Sequence, residues 1–311
     1  MTAATVESML TPAGRFAPSP SGDLHIGNVR TGILAYLWAV TTSRAFRWRD
    51  EDLDRVQEGA AERQLAQFRA LGVRIDGPVV QQSRRTDLYE AACERLAARG
   101  LVYECYCSRR DILAAPSAPH APPGAYPGTC RDLTDSERDA ARDRLRSLGR
   151  APALRLAADG RTSSIDDVLL GVVTAHVDDL VLRRGDGVWA YNLAVVVDDG
   201  DMGIDQVVRG DDLASSAPRQ AHLARLLGLP VPEYVHVPLV LSPAGARLAK
   251  RDGAVTITQL EEHDFDLWAW MGQSLGFGPW TSLDDAVARF DPAAMTRDAT
   301  VFDPPPLSDG A

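Results

Sequence analysis

Three groups of residues carry the types and spacings that chemistry needs. The first is the run Arg15-Phe16-Ala17-Pro18-Ser19-Pro20-Ser21-Gly22-Asp23-Leu24-His25-Ile26-Gly27-Asn28. It reads as a strand, a loop constrained by proline, serine and glycine, and a helix opening just after His25. A helix start offers free backbone N–H groups and the positive end of the dipole, which suits a triphosphate. Gly27 would let a nucleotide lie against the backbone. His25 is placed to stabilise charge developing on an α-phosphate, although a histidine before a helix also serves as a simple cap.

The second group is Arg247-Leu248-Ala249-Lys250-Arg251, following the loop Ser242-Pro243-Ala244-Gly245. Three cations in five residues can clamp pyrophosphate, or form an ordinary solvated face. Of 33 Lys and Arg residues Lys250 is the sole lysine, so this position keeps a compact ammonium where the rest of the chain uses the planar guanidinium. The third group is Cys105-x-Cys107 with Cys130 further on. Two thiolates one residue apart plus a distant third suit zinc, which takes four N, S or O ligands. His120 and Tyr126 are the candidates for the fourth, and chemistry alone favours the imidazole. Cys93 falls in a helical stretch and reads as buried.

The elements that must position these residues alternate in type. Arg15 to Ala17 reads as a strand, and apolar residues at Ile26, Val29, Ile33, Leu34, Leu37 and Trp38 follow helical spacing. Ala45 to Arg49 is a second strand, with helices over Arg55 to Leu71 and Thr86 to Arg99. This alternation predicts a parallel α/β sheet. Residues 101–160 read as an insertion, since Ala114 to Gly128 holds five prolines between flanking cysteines. The α/β pattern returns with the apolar run Trp189 to Val197, a strand near Gln206 to Val208 and a helix over Ala217 to Leu227. After Leu241 the chain looks helical, ending in a proline-rich tail at Pro304-Pro305-Pro306. The expected division is a split sheet domain over 14–100 and 161–241, the insertion over 101–160, and a third region over 242–311.

Composition bounds the setting. A 45% hydrophobic and 24% charged make-up is that of a globular protein, and no apolar run approaches the roughly 18 residues of a membrane helix. No secretory signal is legible, and four cysteines fit a reducing compartment. A cytoplasmic protein with no membrane partner, probed most simply as a monomer, is the expectation. The net charge of −10 disfavours, without excluding, a nucleic-acid partner.

Taken together, HIGN at His25–Asn28 and RLAKR at Arg247–Arg251 resemble the HIGH and KMSKS signatures of class I aminoacyl-tRNA synthetases. The words RFAPSPSG, RDEDLD, QSRR, WAYNLAVVVDD and VVRGDDL are similar to the glutamyl-type members, above all to their short paralogues, the glutamyl-queuosine tRNA(Asp) synthetases. The resemblance covers about Gly14 to Arg251. It implies a Rossmann-type catalytic core with an inserted zinc-binding subdomain and a helical C-terminal region. It implies ATP, L-glutamate and queuosine-bearing tRNA(Asp) as partners, with Mg²⁺ accompanying ATP. Arg15 and Arg209 would take carboxylates and Glu51 the ammonium, with Ala17, Ser19 and Tyr191 completing the pocket. His25 and Lys250 would be catalytic, and Gly27, Asn28 and Arg247 would join them around ATP. The family's C-x-C…Y-x3-C pattern matches Tyr126-Pro-Gly-Thr-Cys130 and implies one structural zinc on Cys105, Cys107, Tyr126 and Cys130.

Two departures stand out. Asn28 replaces the second histidine of HIGH, and only Lys250 survives of the KMSKS pattern. Only residues 252–311 follow Arg251, which leaves little for an anticodon-reading domain and favours transfer to queuosine over charging of tRNA(Glu). The alternatives are a truncated glutamyl-tRNA synthetase and a catalytically silent synthetase-like regulator that binds nucleotide or tRNA.

Overall fold

A computed structural model describes residues 11–114, 126–158, 160–248 and 255–304. His120, Ala249, Lys250, Arg251 and the tail beyond Pro304 lie outside the described residues.

The chain opens with β1 (Ala13–Phe16), buried along its whole length as a strand covered on both faces must be. Pro18 and Pro20 cannot donate to a ladder and end it. Helix α1 (Ile26–Thr41) follows, burying Ile26, Val29, Ile33, Leu34, Leu37 and Trp38 along the predicted stripe. Next come β2 (Ala45–Asp50), α2 (Ala60–Ala70), β3 (Val80–Gln81) and α3 (Thr86–Ala97). Helix α2 begins later than its sequence pattern suggests. Glu51 N and Gln57 N donate to the carbonyls of Pro18 and Pro20, which ties this stretch to the loop after β1. Gly59, at φ +70°, then caps the helix in a conformation glycine adopts without strain.

The middle of the chain holds β4 (Val102–Cys105), α4 (Arg109–Ala114), α5 (Asp135–Ser147), β5 (Ala153–Leu156), β6 (Thr162–Asp167), β7 (Gly171–His176) and β8 (Val181–Arg183). Strands β4, β5 and β8 form a small antiparallel sheet, which therefore reaches past Gly160. The hairpin β6–β7 leaves it and joins the main sheet. The apolar run Trp189 to Val197 becomes most of α6 (Tyr191–Asp201), followed by β9 (Ile204–Gly210), α7 (Ala217–Leu227) and β10 (Glu233–Val237). Beyond lie β11 (Val240–Leu241), α8 (Ile257–Glu261), α9 (Leu267–Ser274), α10 (Leu283–Arg289) and β12 (Thr300–Val301), the last pairing in parallel with β11.

The main sheet runs β3-β2-β1-β9-β10-β6-β7, parallel throughout except for the β6–β7 hairpin. Successive strands spread outward from β1 to β3 in one direction and from β9 to β10 in the other, with the earlier β6–β7 hairpin added at the far edge. Their junction is the switch point at which open α/β sheets bind ligands, beyond the carboxyl ends of the strands. The expected Rossmann-type core is what forms. The C-terminal helices share its apolar core, with Met271, Trp280, Leu283 and Phe290 packed among the side chains of α1 and β2. Arg30 of α1 fastens the two together by donating to Ser274 Oγ at 3.0 Å, Ser274 O at 3.1 Å and Pro238 O at 2.9 Å. With neutral acceptors alone, burial lowers this guanidinium to about 10. Among the described residues no helix is long and apolar enough to cross a membrane.

Candidate active site

The carboxyl ends of β1, β2 and β9 deliver most of the expected pocket. Arg15 is the penultimate residue of β1, with Ala17 and Ser19 just beyond it; Glu51 directly follows β2; Arg209 is penultimate in β9. Tyr191 opens α6 from the side. In the ladders Arg15 stands opposite Arg47 of β2, so Glu51 lies beyond the paired stretch, and Arg209 stands opposite His236 of β10. Arg15 and Arg209 are buried, Ala17 and Ser19 half-buried, and Tyr191 is 39% exposed at the mouth.

A layer of buried charge supports the pocket from below. Asp199 Oδ1 accepts from Arg15 Nε at 3.3 Å and from Arg49 Nη1 at 2.6 Å. Arg49 also reaches Glu51 Oε1 at 3.3 Å. Burial works against ionised Asp199, but the two guanidiniums prevail and hold it below the usual carboxylate range. Glu51 goes the other way: burial raises it despite Arg49 and Arg15. Desolvation likewise raises the Tyr191 phenol, with Glu51 adding to the effect and Arg209 and Arg15 opposing it. Glu51, Arg15 and Arg209 thus all lie within electrostatic reach of Tyr191. Deeper still, Asp198 accepts from Gln82 at 2.7 Å, Tyr89 at 2.8 Å and Arg85 at 2.6 Å, tying α3 to α6.

His25 is the N-cap of α1, its Nδ1 accepting from Asn28 N at 3.3 Å while Asn28 Oδ1 accepts from His25 N at 3.4 Å. Asn28 is therefore one half of a reciprocal capping box. A Cβ on Gly27 would come within 3.2 Å of the His25 ring, so any larger residue here would crowd the imidazole. Arg247 pairs with Asp212 and stands exposed. Arg247 bridges back to Leu241, and Thr256 bridges to His25 with Ile257 N donating to Leu24 O at 3.3 Å, which sets Thr256 and Ile257 against the start of α1.

The sulfurs of Cys105, Cys107 and Cys130 lie within 4.8 Å of one another, the one such cluster among the described residues. Cys107 Sγ is 3.5 Å from Cys130 Sγ and 3.9 Å from Tyr126 Oη. A tetrahedron with bonds of about 2.3 Å has edges near 3.8 Å, so these spacings accept zinc with little movement. Hydrogen bonding from Cys130, then from Tyr126, outweighs burial and pushes the Cys105 thiol down to about 5. That thiolate is the ligand form a metal requires. The Arg155 guanidinium lies 3.7 Å over the Tyr126 ring and holds it in place.

The supporting residues Arg49, Asp198, Asp199, Asp167 and His236 escape a reading of the sequence as candidate site residues. The words RDEDLD and WAYNLAVVVDD contain three of them, but nothing local separates a charge aimed at a neighbouring strand from one facing water.

Comparison with known proteins completes the description. Residues 13–279 match the family described as tRNA synthetases class I (E and Q), catalytic domain. The chain is 57% identical over 293 residues to the glutamyl-Q tRNA(Asp) synthetase of Nocardia farcinica (strain IFM 10152), covering 93% of each sequence. It is 49% identical over 282 residues to the glutamyl-Q tRNA(Asp) synthetase of Cutibacterium acnes (strain DSM 16379 / KPA171202), covering 88% of this chain and 79% of that one. A glutamate tRNA ligase from Elizabethkingia meningosepticum CCUG26117, solved in complex with its amino acid, superposes with a TM-score of 0.76. That match covers 94% of this chain and 67% of the other at 24% identity, a likeness of fold.

Proposed function

This chain belongs to the class I tRNA synthetases for glutamate and glutamine, and on that premise we propose that it activates L-glutamate with ATP and transfers it to queuosine of tRNA(Asp). The observation that carries this reading is the gathering of Arg15, Glu51 and Arg209 at the sheet's switch point, beside a helix start capped by His25. Two cations and one anion match a substrate with two carboxylates and one ammonium. The names of relatives 49–57% identical support queuosine as the acceptor.

In this reading Arg15 and Arg209 hold the carboxylates and Glu51 the ammonium, while Ala17, Ser19 and Tyr191 shape the pocket. An α-carboxylate oxygen attacks the α-phosphorus of ATP, the bond to the bridging oxygen breaks, and pyrophosphate leaves. A hydroxyl of queuosine then attacks the activated carbonyl, losing its proton as AMP departs. His25, Gly27, Asn28, Arg247 and Lys250 line the nucleotide side. Lys250 and His25 oppose the charge that builds on the phosphates. Mg²⁺ carried by the triphosphate neutralises part of the same charge. No protein nucleophile is needed, since alignment of the reactants supplies much of the rate. Cys105, Cys107, Tyr126 and Cys130 would hold one structural zinc, closing the loop between β4 and α5. The protein works in this account as a cytoplasmic monomer with 14–100 and 161–241 as its catalytic domain, except that β8 completes the sheet of the 101–160 insertion, and with 242–311 carrying the phosphate-side loop.

The test offers radiolabelled glutamate, ATP and Mg²⁺ with queuosine-bearing tRNA(Asp), the same tRNA without queuosine, and tRNA(Glu). Label on the first alone is the expected result. Label on tRNA(Glu) would make this a glutamyl-tRNA synthetase core, and no label with no glutamate-dependent ATP–pyrophosphate exchange would make it a binding protein.

A further inference from the structure

Arg209 Nε donates to His236 Nε2 at 3.1 Å, and His236 Nδ1 meets Asp167 Oδ2 at 2.6 Å. A guanidinium has donors only, so Nε2 must offer its lone pair and the single imidazole proton sits on Nδ1, facing Asp167. Asp167 is fixed in turn. Its Oδ2 accepts from the backbone N–H of His236 at 3.1 Å, and its Oδ1 from those of Leu169 at 3.0 Å and Leu170 at 2.9 Å. Burial opposes the ionised carboxylate, but the bond to His236 and these amides keep it below its ordinary range.

We propose that His236, locked in one tautomer by Asp167, is a positioning residue that aims Arg209 at a carboxylate of the substrate, an inference that rests on the glutamate pocket described above. Two of the four remaining N–H donors of Arg209 are also held, one on Nη1 by Gln220 Oε1 at 2.8 Å and one on Nη2 by Leu213 O at 3.3 Å, so each terminal nitrogen keeps a second N–H for a carboxylate. All three acceptors are neutral. Among the described residues no carboxylate lies within ion-pair distance of Arg209, whereas Arg15 shares Asp199 with Arg49. A carboxylate at position 236 would orient the guanidinium equally well but neutralise it. A neutral imidazole orients it and leaves its charge for an incoming anion, while the negative charge that fixes the ring stands on the far side, at Asp167.

Asp167→Asn makes the sharpest probe, because it preserves size. Oδ1 faces the backbone N–H groups of Leu169 and Leu170 and Oδ2 only that of His236, so the new amide NH₂ is less opposed at the Oδ2 position. There it donates to Nδ1 and forces the imidazole proton onto Nε2, against the Nε–H of Arg209. Glutamate binding by calorimetry and glutamate-dependent ATP–pyrophosphate exchange would be measured on the full chain and on Arg209→Gln, His236→Leu, His236→Gln and Asp167→Asn. We expect the KM for glutamate to rise roughly ten- to thirty-fold in His236→Leu and Asp167→Asn, with the KM for ATP held within about twofold, as suits one buried donor left unsatisfied. His236→Gln, which keeps an acceptor for Arg209, should recover part of the loss. Nitrogen-15 spectra of the wild-type imidazoles, assigned by the signal missing from His236→Gln, should show His236 protonated on Nδ1. An Nε2-protonated ring in the wild type, or wild-type glutamate affinity in both folded His236→Leu and Asp167→Asn, overturns the inference and leaves the pocket standing. Should the variants fail to fold, the wild-type spectrum still decides. Unchanged affinity in Arg209→Gln, or no glutamate binding by the wild type, overturns the pocket itself.

Discussion

Asn28 returns the hydrogen bond that His25 accepts from it: Nδ1 of His25 takes the Asn28 amide at 3.3 Å, and the Asn28 side chain takes the His25 amide at 3.4 Å. The asparagine that departs from the HIGH signature therefore does local structural work, and the acceptor role of Nδ1 places a neutral imidazole's proton on Nε2. Asn28→Ala should cost about 1 kcal/mol of stability, the ordinary value of a cap. Urea unfolding would read this cost, and slower pyrophosphate exchange should accompany it as His25 loosens.

Glu51 gives the pocket a pH dependence of definite sign. Burial raises its folded-state pKa above the ordinary value of about 4.3 for glutamate, although Arg49 and Arg15 oppose the shift. The substrate's ammonium needs the ionised form, so glutamate affinity should fall as pH drops through that raised value. Calorimetric titrations across this range should show the fall in the wild type and lose it in Glu51→Gln.

Asp199 behaves oppositely. Its folded-state pKa lies below the unfolded value of about 3.9, because Arg15 and Arg49 outweigh burial. The stability it contributes is fully present above the unfolded value and is lost as pH falls through the folded one. Asp199→Asn leaves two buried guanidiniums without their shared anion and should cost about 3 kcal/mol at neutral pH. The acid side of its stability profile should be flatter than that of the wild type.

Metal analysis of protein purified without chelator should find one zinc per chain, and a strong chelator should lower the melting temperature. Cys107→Ser should abolish retention. Tyr126→Phe should weaken it by about tenfold or more while the three sulfurs remain, with dye-based competition as the measurement.

Lys250→Ala should slow pyrophosphate exchange on the order of a hundredfold, the scale of one lost charge-stabilising donor, with unchanged circular dichroism. Wild-type exchange in that variant would remove the phosphate clamp from the proposal.

The loop after β1 and the helix start beside the candidate pocket were legible because their signals are local, whereas the pocket residues themselves came from the resemblance. Pro18, Pro20 and Gly22 punctuate β1 before a helix whose apolar stripe is plain, and Cys105, Cys107 and Cys130, expected together from their spacing, do gather in one cluster. The supports were not legible, because their meaning depends on partners remote in sequence. Arg49 looks like one charge among several in RDEDLD until β2 lies beside β1 and α6 brings Asp199 against it. Asp167 looks like a turn residue until β6 docks on β10 and sets it opposite Tyr234, next to His236. The short parallel pairing of β11 with β12 carries no pattern at all, since two residues cannot show an alternation.

The placement of β9 between β1 and β10 has a consequence for how the protein acquires its activity. Arg15 and Asp199 meet across 184 positions of chain, and Arg209 arrives only with β9 itself. Bringing such distant segments together costs more loop-closure entropy than pairing nearby strands such as β1 and β2. An incomplete or emerging chain would thus display Arg15 and Glu51 without their counterpart and have nothing with which to grip both ends of the amino acid. If the pocket is as proposed, its grip on glutamate is complete only with β9 in place, and the ligand then stabilises only the finished molecule.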